Sequence, residues 1–295
     1  MKTNNSIGQW FVHLVLLVIS ACCLLPFLLL FITSITDEQS IIRHGYSFFP
    51  ETFSLAAYQY LWHDIGRILH AYGITIAITL IGTAAGLIIT ALLAYPLSRK
   101  DMPLGRFWSF VVFFTMLLNG GLVPQYLVYT QLFELKNTLL GLIVPGLLMN
   151  AFYVMMMRTF FATSIPFPVI ESANIDGAGE FRTFVQIVLP LSMPILATVG
   201  LFQTIHYWND WFNGMLYITD SKLFSLQNLL NRILLDFDFL TSSNFAGGNA
   251  AELTDVPRET VRMAMAVIGI VPILIAYPFF QRYFVKGLTI GAIKG

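Results

Sequence analysis

The chain has 295 residues, of which 57% are hydrophobic and 11% charged. Its 16 basic and 16 acidic side chains cancel, and its mean hydropathy is +0.73. An average soluble domain carries about 25% charged residues, so this composition excludes an ordinary soluble enzyme and points to lipid. The sequence holds no basic block or stripe, which removes nucleic acid as a partner.

The apolar residues are gathered into six stretches free of Asp, Glu, Lys and Arg: Trp10 to Thr36, Ala71 to Ser98, Phe107 to Phe133, Asn137 to Met157, Thr183 to Asn209 and Met263 to Gln281. Each is close to or beyond the roughly 20 residues a helix needs to cross the hydrocarbon. Backbone groups in lipid must bond within their own segment. Barrel strands would run to about 10 residues and alternate, so these stretches are expected to be helices. The expected fold is an all-α integral membrane protein, one transmembrane domain over 1–295. Its six spans fall at about 10–34, 71–98, 107–131, 138–160, 185–209 and 263–283.

The first stretch follows Lys2, as a signal peptide would. It exceeds the usual h-region of about 7–15 residues, and Ile32-Thr33-Ser34-Ile35 is a poor cleavage site, so it is expected to stay as a span. Cys22 and Cys23 are adjacent within it and suit packing or lipid contact rather than a disulfide framework. The segment 37–70 that follows is too long for a simple connection and is rich in aromatics. In the third stretch, Asn119-Gly120-Gly121 reads as a helix break or a point of close packing.

Between the fourth and fifth stretches lies the most informative segment, Ser164 to Pro190. Pro166 and Pro168 suit a helix start, while Gly177 and Gly179 suit its end, where a residue takes a left-handed conformation. A second short helix is expected from Glu180, with Phe181, Phe184, Val185 and Val188 at i, i+3, i+4 and i+7. Pro190 is expected to push Leu189 out of the helical region and set a new direction. The product is a stiff helix–turn–helix joined to two spans and marked by Glu171, Asp176 and Arg182, a shape that a separate motor could grip.

Segment 210–262 is again too long to be a mere connection. Within it, 223–235 carries Leu223, Leu226, Leu229, Leu230, Ile233 and Leu234 at helical spacing and reads as an amphipathic surface helix. For both long loops two readings stay open, capping of the bundle and docking of an external protein. With the N-terminus placed inside, Lys2, Arg99, Lys100, Arg106, Arg158, Arg182, Arg282, Lys286 and Lys294 all fall inside. Basic density is then roughly twice as high inside as outside, which sets the orientation as N-in, C-in.

The segment 164–190 resembles the cytoplasmic coupling loop of bacterial ATP-binding-cassette (ABC) importer permeases: Glu-Ala-Ala, three residues, Gly, nine residues, Ile-x-Leu-Pro. Here it reads Glu171-Ser172-Ala173, Gly177, and Ile187-Val188-Leu189-Pro190, with the spacing kept and Ser172 in place of the first Ala. Ile175-Asp176-Gly177-Ala178, Trp208-Asn209-Asp210-Trp211-Phe212 and the ending Phe284 to Gly295 look like the carbohydrate branch of the MalG type. Asn119 to Tyr126 and Pro257 to Ala264 look like the Gram-positive polysaccharide-component permeases of the LplC or YtcP type.

The resemblance implies a type I importer permease of the bacterial plasma membrane, non-catalytic, paired as a heterodimer with a second permease. It also implies two cytoplasmic ATPase subunits, which hold the ATP and Mg, and an extracellular solute-binding lipoprotein that delivers a carbohydrate. It assigns ATPase coupling to Glu171, Ser172, Ala173, Asp176, Gly177 and Arg182, and ATPase contact to a C-terminal tail over 285–295 with Gly287, Gly291, Lys294 and Gly295.

Sugars are held by aromatic faces and by amides or carboxylates. The candidates for a solute pathway are therefore Asn119, Gln125, Tyr126, Tyr153, Gln203, His206, Tyr207, Trp208, Asn209, Asp210 and Trp211. For Trp208 to Trp211, interface anchoring and solute contact stay equally open. Transport of a non-carbohydrate solute by the same kind of importer is the alternative. An ion-coupled transporter would place a charged residue mid-membrane, and none of the six stretches has one. Neither a His-Glu-x-x-His set nor a phosphate-binding loop appears, so any ATP hydrolysis belongs to another chain. A receptor would have no need of the elbow at 164–190.

Overall fold

A computed structural model describes residues 6–118, 120–147, 150–241 and 257–292, and among these every regular element is a helix. In chain order they are α1 (Ser6–Ser34), α2 (Glu38–His44), α3 (Ala56–His63), α4 (Ile65–Ser98), α5 (Gly105–Leu117), α6 (Leu122–Leu127), α7 (Leu139–Leu147) and α8 (Ala151–Ser164). They continue with α9 (Phe167–Ile175), α10 (Glu180–Thr183), α11 (Leu189–Leu191), α12 (Met193–Trp208), α13 (Phe212–Tyr217), α14 (Leu226–Thr241) and α15 (Arg258–Ala292).

Two helices, α1 from Gly8 and α4, are each long and apolar enough to cross a membrane unbroken. Three more apolar runs are bent pairs rather than single rods: α5 with Leu122–Leu132, α7 with α8, and Glu180–Leu191 with α12. The reasons are local. The first pair breaks where Gly121 takes φ +84°, open to glycine at little cost. The second restarts at Asn150, whose side-chain oxygen accepts from the backbone N–H groups of Phe152 and Tyr153 and so begins α8 afresh. An uncharged Asn inside an apolar run is thus a cap. The run over 138–160 accordingly forms two helices, α7 and α8, bent at 55°.

The chain forms two compact units, Met1–Arg67 with Arg232–Pro272, and Ile68–Asn231 with Ile273–Gly295. In the first, α1 buries none of its apolar window within the chain, whereas Thr33, Ser34 and Thr36 at its end are buried. Ser34 Oγ lies 2.8 Å from Tyr58 Oη, and Thr36 pairs with Phe53 in an isolated bridge. Glu38 caps a distant helix: its carboxylate accepts from the backbone N–H groups of Glu259 and Thr260, each at 3.0 Å, and from Thr260 Oγ1 at 2.8 Å. A carboxylate is favoured at this helix end, because the first N–H groups of α15 have no partner within the helix. Tyr46 donates its hydroxyl to Glu259 at 2.8 Å, and this bond lifts its phenol above the usual range.

In the second unit, α4 is the central member. Gly82 and Gly86 let it approach α12 closely: a Cβ at Gly82 would stand 2.6 Å from the ring of Tyr207, and one at Gly86 would stand 2.8 Å from the amide of Gln203. Small residues four apart are the usual way for helices in lipid to pack, because apolar burial there supplies no driving force of its own. One core cluster joins Ala94, Leu97, Val112, Val154, Met157, Phe161, Val188 and Val199. Another joins Ile78, Tyr129, Leu142, Ile143, Tyr217 and Ile218. The amphipathic helix expected over 223–235 is α14, which starts at Leu226. Asp220 accepts from Lys222 N and holds a short 3₁₀ turn over Ser221–Leu223 ahead of it.

Candidate functional site: an exposed helical elbow

The elbow runs from the end of α8 through α9, α10 and α11. Ile165 is buried and extended, Pro166 is the N-cap of α9, and Pro168 follows within its first turn. Proline suits this place because the first helical N–H groups have no partner in any case. At the other end Ala178 N bonds Ala173 O at 2.9 Å and Gly177 N bonds Asn174 O at 3.1 Å, with Gly177 at φ +76°. This pair of bonds is a Schellman cap, which requires a left-handed residue at that one position. Gly179 was expected to be left-handed as well. It is instead extended, at φ −70° and ψ 159°, and serves as the N-cap of α10.

Ile170 and Ala173 turn inward from α9, while Glu171, Ser172 and Asp176 are exposed. Ser172, the departure from Glu-Ala-Ala, turns its hydroxyl back onto Pro168 O at 2.9 Å, so the residue adds no unmet polar group. Ile175 and Phe181 are 81% and 73% exposed, two large apolar side chains presented beside charges. Arg182, also exposed, donates to Gln186 Oε1 at 2.9 Å.

The second arm departs from simple helical periodicity. A π turn over Phe184–Val188 interrupts it, with Leu189 N bonding Phe184 O five residues back. Phe184, Thr183 and Val188 are buried, while Phe181 and Val185 are exposed, so the expected stripe of four is divided. Leu189 is helical, at φ −59° and ψ −48°, which corrects the expectation for the residue before Pro190. The wider π turn makes room for the proline ring and already lacks the regular bond that proline would have removed. The change of direction comes at Ser192 instead, where Glu180–Leu191 and α12 meet at 81°.

The residues flanking and forming the elbow bond the same end of α4. Arg158 of α8 donates Nε to Leu97 O at 2.9 Å. Within the elbow, Glu180 accepts the Tyr95 hydroxyl at 2.7 Å and Arg99 Nη2 at 3.1 Å. Arg99 also grips Asp101 through Nε at 3.0 Å and Nη2 at 2.9 Å, and this bond holds the Asp101 carboxyl below its usual range. A cavity of about 390 Å³ lies between Glu180, Phe181 and Phe184 on one side and the end of α4 on the other. Sequence reasoning treated Arg99 only as an inside charge, and a pairing across 81 positions leaves no local signal.

The solute-pathway candidates occupy several places. Tyr126 stacks on Tyr217 at 6.0 Å, Tyr153 stacks on Phe202 at 6.2 Å, and His206 meets Tyr207 edge-on at 5.7 Å. Tyr207 and Gln203 are buried against the α4 glycines, and the Tyr207 hydroxyl donates to Ile143 O at 3.0 Å. Trp208 is buried, with its ring 6.3 Å from that of Tyr72. Asp210 accepts from Asn213 N and Nδ2 and so starts α13. Asn209 donates to Ile205 O, while Trp211 and Gln125 are exposed. Asn119, Lys294 and Gly295 lie outside the described residues. Gly287 and Gly291 fall on the backbone of α15, which runs past the expected end of the sixth span at 283.

Comparison with known proteins shows the family of the chain. The profile of the family described as binding-protein-dependent transport system inner membrane component matches residues 2–290. The polygalacturonan/rhamnogalacturonan transport system permease protein YtcP of Bacillus subtilis (strain 168) is 35% identical, over 99% of this chain and 100% of its own. Protein LplC of the same organism is 37% identical, over 94% and 91%. A crystal structure of a bacterial ABC transporter involved in the import of the acidic polysaccharide alginate superposes with a TM-score of 0.78. It shares 30% identity and covers 96% of this chain and 99% of that one. This chain therefore belongs to the family of binding-protein-dependent transport system inner membrane components.

Proposed function

We propose that the chain is a permease subunit of an ABC importer that brings an oligosaccharide or other carbohydrate into a bacterial cell, driven by ATP hydrolysis on separate subunits. The observation that carries this reading is the elbow: a capped two-armed segment that exposes Glu171, Ile175 and Phe181, while Arg158 ahead of it and Glu180 within it bond the end of α4. The names of YtcP and of the alginate transporter support a carbohydrate as the solute.

In this reading the two unbroken helices, the three bent pairs and α15 make six crossings of the plasma membrane, with both termini and the elbow inside. The elbow seats in a cytoplasmic ATPase, with Glu171 and Asp176 at the rim and Ile175 and Phe181 giving apolar contact. ATP and Mg stay with two such ATPase subunits. A second, related permease completes the pathway, and an extracellular lipoprotein delivers the solute. The end of α15, with Gly287, Gly291, Lys294 and Gly295, extends toward the ATPases. Asn119, Gln125, Tyr126, Tyr153 and Trp211 are the pathway residues in this arrangement. Gln203, Tyr207 and Trp208 support them by packing.

The test is reconstitution of the chain with its partner permease, ATPase and binding protein in proteoliposomes, followed by ATP-driven uptake. Glu171→Lys should abolish uptake and release the ATPase from the membrane while the chain still inserts. Uptake at the unmodified rate by that variant overturns the reading.

A further inference from the structure

Arg99 occupies an unusual position. Its side chain is 9% exposed, while its partners Asp101 and Glu180 are 65% and 58% exposed. Both carboxylates use the same nitrogen, Nη2, at 2.9 and 3.1 Å. Nη1 is buried and has no acceptor among the described residues. Asp101 fills the Nε and Nη2 edge and Glu180 takes the second N–H of Nη2, so the N–H groups of Nη1 remain for another acceptor.

Energy does not explain the arrangement. Ion pairs whose acids are this wet contribute about 0–1 kcal/mol, and taking a guanidinium out of water has its own cost. A weak pair makes a poor lock but a good joint, since it is remade cheaply. Two further observations point the same way. The elbow arm carrying Glu180 packs on α4 through Phe184 and Val188, yet Glu180 and Phe181 themselves border a cavity of about 390 Å³ at the end of α4. Tyr95 and Phe184 meet beside that cavity, with ring centroids 5.0 Å apart. On the α8 side of the elbow, Arg158 also bonds an end carbonyl of α4 that has no partner in the helix.

We propose that Arg99 is the positioning residue through which movement of the elbow reaches α4. Glu180 steps from Nη2 to the vacant Nη1 as the elbow arm closes on the cavity, and Tyr95 keeps the carboxylate oriented throughout. The ion pair is never broken during the step, so the arm moves without exposing a lone buried charge. The proposal rests on the elbow's being the ATPase-facing lever.

The experiment measures solute taken up per ATP hydrolysed in the full reconstituted complex, a ratio that a merely structural role would leave unchanged. Arg99→Lys, whose single ammonium lacks a second nitrogen, and Glu180→Gln should both keep ATP hydrolysis within about twofold and lower the ratio at least about fivefold. Tyr95→Phe should lower it by about twofold. A ratio matching the unmodified complex in Arg99→Lys and Glu180→Gln overturns the joint. If either variant fails to accumulate, the other and Tyr95→Phe decide in the same way. If the unmodified complex shows no ATP-driven uptake, the importer reading fails; if it does and these variants match it, the joint alone fails.

Discussion

Gly177 in the elbow and Gly82 in α4 are both fixed as glycine, for opposite reasons. At Gly177 the backbone sits at φ +76° and a Cβ would meet nothing within 4 Å; at Gly82 the backbone is ordinary helix and a Cβ would meet Tyr207 at 2.6 Å. One is a conformational requirement in open space, the other a steric requirement in a closed seam. The difference teaches where each region's sensitivity resides. The seam answers to the fold of this chain alone, whereas the elbow has room to spare until another polypeptide covers it.

The comparison can be broken by substitutions of graded effect. Gly82→Val should be the most damaging, because Tyr207 is buried, bonded to Ile143 and has nowhere to go. Overpacking of this kind costs about 1–3 kcal/mol or more, and detergent thermal denaturation should show a loss of folded protein. Gly86→Ala should cost less than Gly82→Ala in the same assay, since the flexible Gln203 amide can swing aside. Equal losses would show the seam to be uniformly tight.

At the elbow the order of effects reverses between stability and transport. Gly177→Ala should lower the stability of the isolated chain by only about 1 kcal/mol, the cost of a left-handed non-glycine residue. A loss of uptake far beyond that figure would reveal a partner surface against the turn. Asn150→Ala, which removes the α8 cap in front of the elbow, should also cost about 1 kcal/mol, read from the same denaturation curves. The smallest effect belongs to Ser172→Ala. Its hydroxyl bonds only within α9, so stability and uptake should both stay close to unmodified, within about 0.5 kcal/mol for the former.

The elbow was legible because its signals are short-range. Pro166 and Pro168 start α9 through their own φ, and Gly177 stops it through its freedom at positive φ, with no help from elsewhere in the chain. The same local logic misjudged Gly179, which caps α10 in extended form, and Leu189, which stays helical because a π turn precedes Pro190. Asn150 lies within an uncharged apolar run, where nothing local marks its side-chain oxygen as the start of α8.

What the sequence alone determined is the class of protein and the place of the helical elbow. Long uncharged stretches can satisfy their backbone only as helices in lipid, and the proline and glycine spacing of 164–190 shapes two arms wherever it occurs. What only the tertiary structure decided is how those arms are held. Arg99 meets Glu180 across 81 positions, Glu38 caps Thr260 across 222, and Gly82 admits Tyr207. Such pairings depend on which helix faces pack together, and charge, periodicity and spacing along one strand of sequence carry no record of that.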